Sequence, residues 1–308
     1  MIKTGKNVKK TLNWTLNRKI FVVCTVMVPI LHFFVFYLYL NLNSFLLAFQ
    51  MPKTYTWTLS NFAEFWDKLT SPNGEILIAC KNTAKYFLLN IVMLFANLVV
   101  AYFLYKKIWC AKIFRVIFYL PGIISSVAMS TVFMEFIKPQ GPLGEILRLF
   151  GVTMRDEGLL ANPETATDTI IAYCVWTGFS GTMLLFSSSL ARIPSEVIEA
   201  SRLDGCGVFR ELVSIILPLI VPMFTTLLIT TIAGIFNAGG PVLLFTMGKF
   251  DTTTIPFWIF QQVYGSGSYG GSGFYGLVSA AGLCFTAVAV PLVMITRKLM
   301  EKIPAVEY

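Results

Sequence analysis

Charge is what this sequence has least of: 13% of its 308 residues are Asp, Glu, Lys or Arg, where a water-soluble globular protein carries about 25%. Histidine is nearly absent, His32 being the single one, and the six cysteines include no C-x-x-C pair. Each shortage excludes something. So few charges do not suit a soluble enzyme or a disordered chain. Cysteines without paired spacing give no disulfide framework and no thiol metal site. A phosphate-binding P-loop needs G-x-x-x-x-G-K-[ST], and the two Gly-Lys pairs, Gly5-Lys6 and Gly248-Lys249, lack that context. There is no internal repeat, so a solenoid is excluded as well.

What the sequence has is apolar length. Hydrophobic residues make up 56% of it, and the mean hydropathy is +0.71. Six stretches of 19 to 24 residues (20–40, 86–105, 116–134, 169–191, 213–236 and 277–296) contain no Asp, Glu, Lys or Arg. About 20 apolar residues carry a helix across about 30 Å of hydrocarbon with its backbone satisfied internally. The expected fold is all-α, a polytopic membrane protein with six transmembrane helices in a lipid bilayer.

The net charge of +8 is a matter of topology, not of nucleic acid. Segments on the side of the two termini (1–19, 106–115, 192–212, 297–308) hold 16 Lys and Arg in 62 residues, against 8 in the 119 residues of the opposite loops. The positive-inside rule then places both termini in the cytoplasm of a cell-membrane protein. The chain divides into a basic arm (1–19), a first transmembrane helix (20–40), an external loop (41–85), a core (86–300) with a cytoplasmic loop at 192–212, and a cytoplasmic tail (301–308). The arm carries Lys3, Lys6, Lys9, Lys10, Arg18 and Lys19. The apolar run after it is too long for a signal peptide and lacks a small-x-small cleavage site.

His32 stands beside Phe33 and Phe34 with no carboxylate or cysteine neighbour, which reads as a packed residue rather than a ligand. Prolines and glycines recur within the apolar runs: Pro29, Pro121-Gly122, Gly178, Gly181, Pro218, Pro222, Gly234 and Pro291. They kink helices, allow close helix contact or free carbonyls toward a water-filled path, and packing accounts for most of them. Among the outer loops, Trp57, Phe62, Phe65 and Trp66 suit an aromatic belt. Phe257-Trp258-Ile259-Phe260 reads as an interfacial helix before a mobile Gly-Ser stretch, 265–273, with an ordinary connector as the equal alternative.

Between the fourth and fifth apolar runs lies the segment with most pattern, 191–212. Pro194 and Ser195 start a helix, with Glu196 and Glu199 near its positive end. Val197, Ala200, Ser201 and Leu203 form a narrow apolar edge, and Gly205 and Gly207 permit a tight turn before a second helix from about Val208. An amphipathic helix lying on lipid favours Lys and Arg on its polar face. Here Glu196, Glu199, Asp204 and Glu211 outnumber Arg202 and Arg210. The surface suits a groove on a protein partner.

This segment resembles the cytoplasmic loop of bacterial ABC-importer permeases, whose pattern is E-A-A, three residues, G, nine residues, I-x-L-P. Here the same spacing reads Glu199-Ala200-Ser201, Gly205, Ile215-x-Leu217-Pro218, with Ser201 as the departure. Ile193-Pro194-x-Glu196 and Asp204-Gly205 are similar to the carbohydrate-uptake branch, the maltose-type subunits. Leu120-Pro121 and Trp176-x-Gly178-Phe179 extend the likeness over roughly 86–300.

The resemblance implies a type I ABC-importer permease fold and a carbohydrate, most simply an oligosaccharide, as substrate. It implies a second permease subunit, two cytoplasmic ATP-binding subunits and an external solute-binding protein as partners. ATP and Mg belong to the ATPase, so this chain is expected to be no enzyme and to hold no cofactor or metal. Glu196, Glu199, Ala200, Ser201, Leu203, Asp204 and Gly205 take the coupling role. Gly122, Ser126, Gly178, Phe179, Gly181, Phe236, Asn237 and Gly240 match positions along the substrate path, with packing the alternative at each. Several of these are glycine where the maltose subunit is larger, and Thr246-Met247-Gly248-Lys249 departs from the branch's T-x-G-G-P, both of which look closer to permeases for longer oligosaccharides. The tail lacks the glycine-rich ending of the other subunit type, which points to the first-type half of a heterodimer. Among alternatives, an ABC permease for a non-sugar solute such as a glycerol phosphate or an amino acid favours Arg or Lys in the path where that solute is anionic. An ion-coupled carrier or an intramembrane enzyme needs ionisable residues at membrane depth. The runs contain neither.

Overall fold

A computed structural model describes residues 16–51, 56–72, 74–151, 156–265 and 275–303. The lysines of the basic arm before Arg18, most of the Gly-Ser stretch and the last five residues lie outside the described residues. Among those described, five helices are long and apolar enough to cross a membrane, and a bent pair supplies a sixth crossing. We label α1 Arg18–Ala48, α2 Ser60–Thr70, α3 Glu75–Tyr105, α4 Ala111–Ile123, α5 Ser126–Ile137, α6 Pro142–Leu149, α7 Pro163–Thr177, α8 Ser180–Leu190 and α9 Ser195–Leu203. The chain continues through α10 Val208–Ala233, α11 Val242–Phe245, α12 Ile255–Tyr264 and α13 Tyr275–Met300.

Sequence chemistry explains most boundaries. At the start of α7, the Asn162 side chain accepts from the Glu164 amide at 3.0 Å, and Pro163 occupies the first turn, where no donor is needed. Within the apolar helices, threonine hydroxyls donate to carbonyls four residues back, as in Thr226 to Pro222, Thr230 to Thr226 and Thr286 to Gly282, each at 2.7–2.8 Å. That local bond lets a hydroxyl sit at membrane depth without a partner from another helix.

Two helices begin or end elsewhere than the charge pattern indicates. The first crossing runs on to Ala48, and α3 starts at Glu75, so the connection expected at 41–85 is shorter and holds α2. Lys81 and Lys85 therefore stand inside α3, near its outer end. The third crossing is not one rod over 116–134: α4 and the helix after it meet at a 110° bend. Pro121 lacks a donor and crowds the preceding turn, and Ile124 is extended (φ −80°, ψ 144°).

Two apolar clusters lie at opposite ends of the bundle. At the end that carries α9, Leu98, Tyr102, Phe186, Leu190, Ile198 and Ile216 pack together from α3, α8, α9 and α10. At the other end, Phe65, Ile76, Ile255, Trp258 and Leu277 join α2, α3, α12 and α13. Trp258 is 2% exposed, so α12 is packed into the bundle rather than laid on its surface. In contrast, none of the most apolar window of α1 is buried; only its outer part packs, against α13. His32 stacks on Phe36 one turn along this helix, with 4.9 Å between ring centres, but it is exposed, so it is not packed against another helix as the sequence suggests.

Candidate functional site

The segment 191–212 folds as helix, turn and helix. Ile193, just before α9, and Ile198 and Ser201 within it turn inward, each 4–5% exposed, and the Ser201 hydroxyl donates to the Ile198 carbonyl at 2.8 Å. Glu196, Glu199, Ala200, Leu203, Asp204 and Gly205 face outward. The apolar edge expected from sequence is thus divided. Ser201, grouped above with the coupling residues, lies on the inward face, while Ala200 and Leu203 stand on the outer one. Leu203 is 89% exposed, and Phe209 beyond the turn is 74% exposed.

Gly205 closes the turn at φ +70°, a left-handed conformation that side chains with a Cβ adopt at a cost of about 1–2 kcal/mol. The Cys206 amide then donates to the Ser201 carbonyl at 3.0 Å, five residues back, as in a Schellman ending. The result is an acidic, rigid projection with an apolar tip. Glu211, counted above among its acidic residues, is instead fully buried (0% exposed) and bonded to Lys106 and Tyr102. Among the described side chains, the exposed acids Glu196, Glu199 and Asp204 still outnumber the exposed Arg210.

Between α3, α7, α8 and α10 lies a cavity of about 310 Å³. Its polar lining is Asn90, Asn97, Thr182, Thr230, Thr231 and Asn237, with the backbone of Gly178 and Gly234. No charged side chain lines it. Asn97 is 1% exposed; its amide nitrogen donates to the carbonyls of Met93 at 2.7 Å and Gly178 at 3.2 Å. Its Oδ1 accepts no hydrogen bond from the described residues. A buried acceptor in that state costs about 1–3 kcal/mol, and it stands in a residue of the cavity wall.

Of the eight path positions matched from sequence, Gly178 and Asn237 line this cavity. Phe179 packs on Phe118, with ring centres 4.9 Å apart, and Phe236 stacks on Phe285 at 4.7 Å. Gly122 meets Ser180, and Gly240 meets Tyr86 and Ile170, at distances that leave no room for a Cβ. These four make packing contacts in this structure. Ser126 begins α5, where its carbonyl accepts from the Ser130 hydroxyl at 2.7 Å, and Gly181 has nothing within 4 Å of a Cβ position. Sequence reasoning passed over Asn90, Asn97, Thr182, Thr230 and Thr231. A signal was present: Asn90 and Asn97, seven apart in a charge-free run, share one helical face.

At the end of the bundle opposite α9, the stretch after the cavity forms an unusually constrained turn. Met247, Phe250 and Asp251 have φ of +52°, +57° and +54°. The Asn82 amide holds them from α3, donating to the carbonyls of Asp251 at 2.6 Å and Thr253 at 2.9 Å. Asn82→Ala is expected to lower stability by about 2 kcal/mol through the two carbonyls it abandons, read as a lower Tm in detergent.

Comparison with known proteins agrees with this architecture. Residues 19–303 match the family described as binding-protein-dependent transport system inner membrane components. A probable ABC transporter permease of Bacillus subtilis, YurN, is 28% identical over 72% of this chain and 77% of its own length. The multiple sugar-binding transport system permease MsmF of Streptococcus mutans is 25% identical over 66% of this chain and 70% of its own. The maltose/maltodextrin permease MalF of Shigella flexneri is 32% identical, but the match spans 46% of this chain and 28% of MalF. Among solved structures, a bacterial ABC transporter involved in the import of the acidic polysaccharide alginate superposes with a TM-score of 0.77. That likeness covers 93% of this chain at 21% identity and speaks to the fold. The all-helical fold agrees with a family match that runs over nearly the whole sequence: the chain belongs to the binding-protein-dependent transport system inner membrane components, the non-enzymatic permease subunits of ABC transporters.

Proposed function

We propose that this chain forms the translocation path for a neutral carbohydrate, an oligosaccharide above all, in an ATP-driven importer. The observation that carries the proposal is the uncharged cavity, in which amide and hydroxyl groups surround an unpaired Asn97 oxygen. Such a lining exchanges hydrogen bonds with sugar hydroxyls and offers nothing to balance an anionic solute. The relatives named for sugars support the substrate class.

In this reading both termini are cytoplasmic, and α9 docks its acidic face and Leu203 into an ATP-binding subunit that holds ATP and Mg. The complete transporter contains two such subunits and a second permease, with this chain as one half of a heterodimer. A solute-binding protein docks at the outer end, where the constrained 246–254 turn presents Met247 and Phe250. Closure of the ATP-binding subunits drives α9, and the helices around the cavity alternate their access.

The test is uptake of radiolabelled neutral oligosaccharides, with glycerol 3-phosphate as the anionic comparison, by proteoliposomes holding the whole transporter. ATP-dependent uptake of a neutral oligosaccharide is expected. Asn237→Ala should lower it about tenfold with subunit assembly unchanged, as for a lost pair of hydrogen bonds. Uptake of glycerol 3-phosphate alone, or uptake driven by an ion gradient without ATP, overturns the substrate class or the energy source respectively.

A further inference from the structure

The coupling segment is joined to the cavity wall by a buried ion pair. Glu211, in the first turn of α10, is 0% exposed. Its carboxylate accepts from the Lys106 ammonium at 3.0 and 2.8 Å and stands 2.9 Å from the Tyr102 hydroxyl. That hydroxyl also lies 3.1 Å from the Val208 carbonyl, so its one proton serves both acceptors. Tyr102 is itself fully buried, and the Lys106 ammonium sits 5.6 Å from its ring centre. Local sequence favours both charges where they stand, since Lys106 caps the C-terminus of α3 and Glu211 lies in the first turn of α10.

Apolar packing alone would hold these helices together. Leu98, Leu104, Leu212 and Ile216 already pack in one cluster with Ile198 of α9. A buried ion pair is seldom more stabilising than a well-packed apolar pair, and its best-attested use is to fix the register of one element on another. An apolar contact tolerates sliding, whereas a carboxylate held at both oxygens and a carbonyl held by the same tyrosine do not. The place of the pair also matters. Val208 is five residues beyond the exposed Leu203, and Lys106 is nine residues from Asn97 along α3, about 14 Å of helix.

We propose that Tyr102, Lys106 and Glu211 form a clamp that fixes the coupling segment to α3, so that displacement of α9 by the ATP-binding subunit reaches the cavity lining. These are positioning residues, and the proposal rests on the coupling role assigned to α9 above. The clamp differs from general stabilisation in its consequence: without it the subunits still assemble, but the cavity no longer responds to nucleotide.

Cys174 lines the cavity and can report that response. The parent is the whole transporter in which Cys24, Cys80, Cys110, Cys206 and Cys284 of this chain are replaced by serine, the partner subunits carry no cysteine, and Cys174 alone is open to N-ethylmaleimide. Its modification rate is compared without nucleotide and with MgATP plus vanadate. The parent is expected to change rate about tenfold or more between the two states. Lys106→Met/Glu211→Leu should assemble and still bind nucleotide yet change rate by less than about twofold, while Lys106→Arg, which keeps the charge and the fork to the carboxylate, should retain the parental response. A parental response in the double variant overturns the clamp. Tyr102→Phe decides the matter where the double variant does not fold: a response reduced at least about twofold is expected, and an undiminished one overturns the proposal. No nucleotide response in the parent itself overturns the coupling reading, a result distinct from loss in the variants.

Discussion

Gly205→Pro is expected to leave the protein in the membrane and to abolish binding-protein-stimulated ATP hydrolysis by its partner. The residue stands at φ +70°, and proline is fixed near −65°. The turn must therefore open, and the Cys206-to-Ser201 bond that ends α9 is lost with it. Ile193, Ile198 and Leu212 still hold the inner faces of both helices in the core, so insertion survives. What is lost is the fixed spacing of Leu203 and Phe209 on the outer side. Two substitutions test the same surface without moving the backbone. Leu203→Asp puts a charge on the 89% exposed apolar tip proposed to dock on the partner, and Glu199→Arg reverses the charge beside it. Each should weaken co-purification with the ATP-binding subunit by about a hundredfold in affinity, as for loss of a central interface anchor. Stimulated hydrolysis at the parental level in all three variants would remove α9 from the coupling role.

The parts of this fold that were legible in the sequence are those set by local chemistry. Six charge-free runs mark six crossings because burying a charge in hydrocarbon is costly wherever it occurs. The start of α9 at Ser195, its end before Gly205 and the resumption at Val208 follow from proline, acidic first-turn residues and glycine, all read within a few positions. What was not legible depends on partners distant along the chain. Glu211 looks like one more surface acid until Lys106, 105 positions earlier, is brought to it. Ser201 belongs to the coupling motif by spacing, yet it faces inward because the neighbouring Ile198 joins the apolar cluster with residues of α3 and α10. Asn97 and Thr230 are unremarkable singly, and only the meeting of α3 with α10 makes them one lining. The glycines were hardest to assign, since the same residue serves a solute path and a close helix crossing. Space around each one settles the choice.

Gly122 and Gly181 supply that test, because sequence assigns both to the path and the structure treats them differently. A Cβ on Gly122 would stand 2.4 Å from the Ser180 hydroxyl oxygen and 2.5 Å from its Cβ, at the point where α4 crosses the start of α8. Serine can rotate its hydroxyl but not its Cβ, so the helices must separate. Gly122→Leu is therefore expected to destabilise by about 3 kcal/mol, the upper range for overpacking. In a chain of this length that is a Tm lower by about 6–12 °C, measured in detergent by thermal unfolding. Uptake should fall only in proportion to the folded protein that remains. Gly181 has open space around it, within α8 and next to the cavity-lining Thr182. Gly181→Leu should gain about 0.5–1 kcal/mol from helix propensity, raise Tm by a few degrees, and still slow uptake because the new side chain enters the way to the cavity. Stability and transport thus move together at Gly122 and in opposite directions at Gly181. A Gly181→Leu protein with unchanged uptake would return that position to the lipid-facing surface of α8, leaving Gly178 and Asn237 as the motif-matched residues on the path.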